Sequence, residues 1–138
     1  MKALITGAAG FLGSNIAQAL LARGDSVRGV DCFIDYYPRA IKERNLRLAK
    51  GNPRYEFHEA SLVDADLAAL LDGVDVVFHQ AAQAGVRASW GAEFEIYTKN
   101  NIQATQRLLE ACRPNKTRVV YASSSSVYGE TGKFPMEE

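Results

Sequence analysis

Short apolar runs alternate along this chain with segments whose apolar residues recur at helical spacing, and this alternation limits the fold more than any other feature. Five segments have the length and apolar content of strands: residues 2–6, 26–30, 54–58, 75–82 and 117–123. Four segments between them have helical patterns: residues 11–24, 38–51, 64–73 and 92–113. Strands that alternate with helices form βαβ units, so we expect an α/β fold with a parallel sheet.

The connections between these strands restrict the topology further. Crossovers between parallel strands are right-handed, and the expected strand order is therefore 3-2-1-4-5 in one doubly wound sheet spanning residues 1–138. Ligands bind such a sheet at the carboxyl ends of the strands, where the strand order reverses between strands 1 and 4. The loops that begin at Gly7, Asp31, Gln80 and Ser123 are expected around this one crevice.

The first of these loops is rich in glycine. Residues 6–14 read TGAAGFLGS, which places Gly7, Gly10 and Gly13 between the first strand and the first helix. Glycines so placed allow a tight turn and let a pyrophosphate approach the backbone, while the helix N-terminus offers N–H groups to phosphates. A glycine-rich turn without a ligand is the alternative. A mononucleotide P-loop is disfavoured, because no Lys-Ser/Thr pair follows the glycines.

Asp31 stands at the end of the second predicted strand. A carboxylate at this place accepts hydrogen bonds from the two ribose hydroxyls of an adenosine and repels a 2′-phosphate. The sequence therefore predicts NAD rather than NADP as the cofactor. The alternative is an acid on a solvated turn with no ligand.

Charge and cysteine content exclude several other classes of protein. Sixteen basic and sixteen acidic residues balance, which gives no electrostatic reason to expect nucleic acid or an anionic membrane as a partner. No apolar stretch approaches the length of a membrane span. Cys32 and Cys112 lie far apart and are expected to be small buried residues in a reducing compartment, which favours a cytoplasmic protein. His58 and His79 have no metal-ligand spacing, so no metal site is expected.

Several motifs together resemble the N-terminal part of the extended short-chain dehydrogenase/reductases, in the NAD-dependent epimerase/dehydratase family that acts on nucleotide sugars. The matching pieces cover the chain almost end to end: TGAAGFLGSNI, VDCFIDYYPRAIKERNL, FHQAAQAGVRAS, NNIQATQRLLEA and VVYASSSSVYG. The second and third pieces look most like UDP-glucose and UDP-glucuronate 4-epimerases. The resemblance implies a Rossmann-type NAD-binding domain, truncated before the substrate domain.

The resemblance also implies which residues contact the cofactor. Those expected at the pyrophosphate are Gly7, Gly10, Phe11, Leu12 and Gly13; at the adenosine ribose, Asp31, Cys32 and Phe33; at the adenine, Ser61 and Leu62; at the nicotinamide ribose, Gln80, Ala81, Ala82 and Gln83; and further cofactor contacts are Asn100, Ala122 and Ser123. The family often has an aspartate at the position of Ser61, so the Leu62 backbone is left to meet the adenine. A helix-surface amide is the alternative for Asn100.

Four consecutive serines follow the fifth predicted strand. A flexible linker is the plain interpretation, but linkers are rarely framed by apolar segments such as VVYA and VYG. The resemblance implies that Ser124 is catalytic, through a hydrogen bond to the reacting sugar oxygen, and that Ser125 and Ser126 lie beside the substrate ring. Family dehydratases have an acid pair at the last two positions, which the elimination of water needs, so the serines favour epimerase chemistry over dehydratase chemistry.

The family's catalytic base is a tyrosine with a lysine four residues later, and this chain lacks that pair. None of its six tyrosines has a lysine at that spacing. The resemblance therefore implies a chain that binds NAD but is inactive by itself. Four interpretations remain open: a truncated UDP-sugar 4-epimerase, a stand-alone NAD-binding sensor or assembly module, an enzyme completed by a second polypeptide, and a fragment of a nucleotide-sugar dehydratase or reductase.

Association with a second copy is also expected. The helix at residues 93–112 matches the family's helical dimer interface, and the fifth strand leaves a sheet edge without a neighbour. The resemblance thus implies a homodimer, with a UDP-sugar as the partner of the full-length family members.

Overall fold

The computed structural model describes residues 1–130, 132 and 134–136, so the predicted domain limit at residue 138 lies outside the described residues. Five parallel strands form one sheet in the order β3-β2-β1-β4-β5, as predicted. The strands are β1 (Lys2–Thr6), β2 (Ser26–Asp31), β3 (Tyr55–Glu59), β4 (Val76–His79) and β5 (Arg118–Tyr121).

Helices connect successive strands. They are α1 (Phe11–Ala22), α2 (Arg39–Lys50), α3 (Leu67–Leu71), α4 (Phe94–Tyr97) and α5 (Ala104–Cys112). The helix α3 is shorter than predicted at both ends, and it begins later because the Asp66 side chain accepts a hydrogen bond from the Ala69 N–H and caps the helix there. The predicted single helix at 92–113 is also not uniform, since a π-helical turn, Thr98–Gln103, separates α4 from α5.

Helices cover both faces of the sheet. On β1, Leu4 faces one apolar cluster with Val77 and Leu108, while Ile5 faces a second cluster with Ala17. Alternation along a strand produces this division, because successive side chains point to opposite faces. A sheet covered in this way leaves its strand ends as the place where polar groups can meet a ligand.

The carboxyl ends of the three central strands are level with one another. Thr6 pairs with Val30 of β2 on one side and with His79 of β4 on the other. The ladder continues one step past β4, where the Gln80 N–H donates to the Thr6 carbonyl at 3.2 Å. The loops after β1, β2 and β4 therefore leave the sheet at one edge and surround one crevice.

The two cysteines differ in their surroundings. Cys112 is buried as predicted, but Cys32 is exposed, so the expectation of two buried thiols is wrong for Cys32. The reason is position: Cys32 is the first residue after β2, past the part of the sheet that the helices cover. No helix in the described part of the chain is long and apolar enough to cross a membrane.

Candidate cofactor site

A cavity of about 120 Å³ lies at the carboxyl ends of β1, β2 and β4. Many of the residues predicted to contact a cofactor line it: Gly7, Asp31, Cys32, Ser61, Leu62, Gln80, Ala81, Ala82, Gln83 and Asn100. These residues come from five separate stretches of sequence, and the sheet topology brings them together. The predicted crevice at the reversal of strand order therefore exists.

The remaining predicted residues lie outside the cavity wall. They are Gly10, Phe11, Leu12 and Gly13 at the start of α1, Phe33 after β2, and Ala122 and Ser123 after β5. The side chains of Phe11 and Leu12 are exposed, with 75% and 57% of their surface accessible. Their roles remain predictions.

The glycine loop is shaped by close backbone packing. Gly7 has φ of +67°, and a Cβ at this residue would lie 2.8 Å from the Ala81 nitrogen. A side chain there would separate β1 from the loop after β4, so only glycine permits the approach. No side chain caps α1, and the helix begins directly after Gly10. Its first-turn N–H groups and positive dipole end therefore suit a phosphate.

Asp31 connects two loops of the crevice. Its Oδ2 accepts a hydrogen bond from the Ala9 N–H at 3.0 Å, and its Oδ1 accepts one from the Phe33 N–H at 2.8 Å. The alternative of a solvated turn acid does not describe this half-buried, doubly bonded carboxylate. Two oxygens offer about four lone-pair positions, so acceptor capacity remains for the hydroxyls of a ribose.

Lys42 is a wall residue that was not among the predicted site residues. It is only 6% exposed, its Nζ donates to the Ile34 carbonyl at 2.6 Å, and the same nitrogen lies 4.9 Å from the centre of the Tyr37 ring. An ammonium group has three donors, so further hydrogen bonds remain for a ligand. The signal was present in the sequence, because Lys42, Leu46 and Ala49 recur at the spacing of one buried helix face.

Tyrosines and a thiol complete this side of the crevice. Tyr36 and Tyr37 line the cavity next to Cys32, and neither tyrosine was predicted there. Cys32 is exposed as a residue, but its thiol is partly buried. Partial burial, and then the negative charge of Asp31, raise the pKa of the Cys32 thiol and the pKa of the Tyr37 phenol. Both groups therefore stay protonated and uncharged at neutral pH, and Asp31 and Lys42 carry the charge in this wall.

A buried histidine supports the floor of the crevice. Thr6 Oγ1 lies 2.7 Å from His79 Nδ1, and His79 Nε2 lies 2.9 Å from Thr105 Oγ1. Thr6 Oγ1 also accepts the Ala81 N–H at 3.1 Å. Burial lowers the pKa of His79, so the imidazole is neutral and acts as a structural connector. Among the described residues, no group of three or more His, Cys, Asp or Glu is placed to hold a metal ion.

The turn after β3, where the adenine contact is predicted, forms another part of the cavity wall. Ser61 Oγ accepts the Val63 N–H at 3.3 Å, and the Ser61 carbonyl accepts the Ala65 N–H at 2.8 Å. The serine hydroxyl keeps its own proton for donation, whereas an aspartate at this position could only accept. Leu62 is buried beneath the turn at 6% exposure.

The serine segment forms a turn of its own. Ser124 Oγ accepts the Ser126 N–H at 3.2 Å and caps a short 3₁₀ helix, Ser125–Tyr128. Ser123 to Ser126 are all exposed, and none of them lines the cavity. This capped turn differs from the flexible linker that was one interpretation of the serines. Their contacts with a substrate remain predictions.

The parallel sheet, the glycine loop and the acid after β2 together define a dinucleotide-binding α/β protein of the Rossmann type. Comparison with known families gives the narrower assignment. A model of the NAD dependent epimerase/dehydratase family matches residues 3–138, and the chain belongs to this family.

Two similar proteins are UDP-sugar epimerases by name. An uncharacterized UDP-glucose epimerase, YtcB, of Bacillus subtilis (strain 168) is 52% identical over 132 residues, which cover 94% of this chain and 42% of that protein. UDP-glucuronate 4-epimerase 1 of Arabidopsis thaliana is 40% identical over 143 residues, which cover 100% of this chain and 33% of that protein. The chain thus spans less than half the length of these relatives.

Solved structures show the same relationship. The UDP-glucuronic acid 4-epimerase of Bacillus cereus, crystallised with UDP-glucuronic acid and NAD, superposes with a TM-score of 0.89 at 44% identity, covering 99% of this chain and 44% of that one. The expected fold, family and strand order are therefore confirmed.

Proposed function

We propose that this chain is the NAD-binding part of a UDP-sugar 4-epimerase. The observation that carries the proposal is the single crevice in which Gly7, Asp31 and Ala81 meet. Its support comes from the chain's family and from a relative of similar fold that was crystallised with NAD and a UDP-sugar.

The described residues fit such a cofactor. Gly7 and Ala81 form a cradle that a Cβ at residue 7 would fill, and the uncapped start of α1 suits the pyrophosphate. Asp31 and the ammonium group of Lys42 line the crevice together, as acceptor and donor for the hydroxyls of a ribose. When bound, NAD would supply a hydride acceptor for oxidation of a sugar hydroxyl and, once reduced, a hydride donor for the resulting ketone. The chain's own part is to bind the dinucleotide and hold it in place.

Titration calorimetry with NAD and NADP tests the cofactor. We expect tighter binding of NAD, because the Asp31 carboxylate accepts ribose hydroxyls and repels a 2′-phosphate. Asp31→Ala should weaken NAD binding by roughly 1–3 kcal/mol, the range for a hydrogen-bonded charge. The matched control is Asp64→Ala, at an exposed acid that does not line the cavity. Equal affinity of the wild-type chain for both cofactors would refute the role of Asp31.

We further propose that the chain does not epimerise UDP-glucose, UDP-galactose or UDP-glucuronate by itself. The hydroxyl of Ser124 is too weak a base to take a sugar proton, and no tyrosine has a lysine four residues later. General-base catalysis contributes about 10²–10⁴-fold, so turnover should fall below detection in a coupled assay. Turnover that persists in the purified protein and disappears in Tyr128→Phe would make Tyr128 the base and contradict this proposal.

The acid pair that a dehydratase needs is absent at Ser125 and Ser126, which favours the epimerase over the dehydratase alternative. A stand-alone NAD sensor and an enzyme completed by a second polypeptide are consistent with the same cofactor site. An activity assay of the chain mixed with candidate second polypeptides distinguishes these two alternatives, since only an enzyme completed by a second polypeptide should recover turnover.

A homodimer is the proposed assembly. Apolar side chains of α4, the π-helical turn and α5 are exposed, with accessible fractions of 54% for Phe94, 62% for Ile102 and 49% for Leu109. Apolar surface of this kind is typical of an interface. Light scattering at high protein concentration tests the proposal, and a mass equal to one chain would refute it.

A further inference from the structure

The loop between β2 and α2, residues 32–38 (the β2 loop), contains a residue in an unusual backbone conformation. Phe33 has φ of +50°, in the left-handed region that residues with a side chain seldom adopt. Its N–H donates to Asp31 Oδ1 at 2.8 Å. The orientation of the Asp31 carboxylate in the cavity wall is therefore coupled to the shape of the β2 loop at Phe33.

The first residue of α2, Arg39, covers the ring of Phe33. The Arg39 Cζ lies 4.1 Å from the centre of this ring, where a cation is attracted to the aromatic face. The ring of Phe57 in β3 meets Phe33 at a centre-to-centre distance of 5.8 Å and an angle of 71°, a favourable edge-on arrangement. The Phe33 side chain is thus held from two separate elements of the fold.

Two carboxylates fix the guanidinium group of Arg39. Its Nη1 and Nη2 donate to Glu59 Oε1 and Oε2, both at 2.8 Å, and its Nε donates to Glu43 Oε1 at 2.8 Å. A bidentate pair of this kind holds the planar guanidinium in one orientation, unlike an ordinary surface ion pair. Glu59 is the last residue of β3 and the ladder partner of Asp31. The contacts therefore connect the Phe33 ring, through Arg39, to the strand beside Asp31.

We propose that Arg39 is a positioning residue for the bound dinucleotide. It holds Phe33 in place and, through the Phe33 N–H, keeps the Asp31 carboxylate in the orientation that accepts ribose hydroxyls. Neither Arg39 nor Glu59 lines the cavity. The role rests on the proposed function, namely that NAD occupies this crevice. Without Arg39 only a fraction of the chains would keep the β2 loop in the binding shape, and the apparent affinity would fall by that fraction.

The first test uses Arg39→Ala. Alanine is the best helix former, so α2 itself should not be weakened. We expect about fivefold weaker NAD binding by calorimetry, the effect of losing one well-ordered ion pair and one cation–π contact. Exchange of the Phe33 amide hydrogen should become faster by a similar factor. Exchange at Val27, whose N–H donates to a backbone carbonyl inside the sheet, should stay unchanged.

Two control variants accompany this test. Arg113→Ala removes another exposed arginine, which pairs with Glu110 at 3.4 Å outside the cavity, and should leave NAD affinity unchanged. Arg39→Lys keeps the positive charge but lacks the planar fork that binds both oxygens of one carboxylate. Its NAD affinity should lie between that of the wild type and that of Arg39→Ala.

The second test uses Glu59→Gln, which separates positioning from direct contact with the ligand. A dinucleotide is anionic, so the loss of a negative charge nearby should by itself leave NAD binding unchanged or strengthen it. Release of Arg39 to meet the ligand directly would act in the same direction. The positioning role predicts the opposite, about threefold weaker binding, because a neutral acceptor holds the guanidinium less firmly. Added to Arg39→Ala, Glu59→Gln should cause no further loss.

The two proposals fail in different ways. A wild-type chain that binds no NAD would refute the proposed function and, with it, any role of Arg39 toward the dinucleotide. Unchanged NAD affinity in Arg39→Ala, beside a wild-type chain that binds NAD, would overturn the positioning role alone. Wild-type or tighter NAD binding in Glu59→Gln would also overturn it, as would unchanged exchange of the Phe33 amide in Arg39→Ala.

Discussion

The hydroxyl oxygen of Tyr55 leads to a prediction about the stability of the chain. Its hydroxyl oxygen is buried and has no hydrogen-bond partner among the described residues. Burial, and then the negative charge of Asp31, raise the pKa of this phenol, so it stays protonated. The Tyr55 ring packs with the apolar cluster that includes Ala17 and Val27, so its hydroxyl is a polar group in apolar surroundings.

Tyr55→Phe should therefore stabilise the chain. A buried hydroxyl without a partner costs about 1–3 kcal/mol, whereas the ring contacts are the same in phenylalanine. We expect the free energy of unfolding to rise by about 1 kcal/mol, which corresponds to roughly 3–5 °C in Tm for a chain of this size. Urea and thermal unfolding followed by circular dichroism measure both quantities. Tyr121→Phe is the control, since Tyr121 is 67% exposed and should show no change.

A second residue tests the same geometry. A Cβ at Gly29 would collide with the Tyr55 hydroxyl oxygen and would lie 2.8 Å from the Ala8 Cβ. Gly29→Ala should destabilise the chain, and adding Tyr55→Phe should recover part of the loss, so the two changes are not additive. A destabilised Tyr55→Phe would show that the hydroxyl is satisfied in solution and would refute the reasoning.

Two further predictions concern the crevice. Burial lowers the pKa of His79 below its ordinary value of 6.5, so on acidification the unfolded chain binds the proton before the folded chain does. The contribution of His79 to the free energy of unfolding should therefore be constant above pH 6.5 and fall below it, by up to about 1.4 kcal/mol per pH unit. Urea unfolding from about pH 7.5 to 5 measures this dependence on pH, which should be weaker in His79→Asn. A Cβ at Gly13 would lie 2.9 Å from the Gly7 carbonyl carbon, so Gly13→Ala should cost about 1–3 kcal/mol of stability and weaken NAD binding in calorimetry. Gly51→Ala is its control, because the nearest atom would be 3.6 Å away.

The strand order could be predicted because it depends on a pattern carried by many residues. Each apolar run ends at a polar or small residue, and the rules for parallel connections then leave a few orders, of which 3-2-1-4-5 is typical of dinucleotide-binding sheets. The glycine loop and Asp31 were predictable for a similar reason, since both occupy fixed places relative to strand ends.

Other parts of the site were not predictable in this way. No residue type marks the π-helical turn, so the contact between Asn101 and Gln83 had no signal in a uniform helical pattern. Lys42 was overlooked because a charged residue on an amphipathic helix is ordinarily exposed, although its spacing placed it on the buried face. Cys32 was assigned by residue type alone, and its position past the end of β2 decides its exposure.

The bonds of Asp31 restrict how cofactor preference can change in this lineage. The carboxylate that we propose selects against a 2′-phosphate also ties Ala9 to Phe33 across two loops. A single substitution that admitted NADP would therefore release both loops at the same time. Conversion of the cofactor preference, in evolution or in the laboratory, would need compensating changes in the neighbouring loops before or together with the loss of the acid.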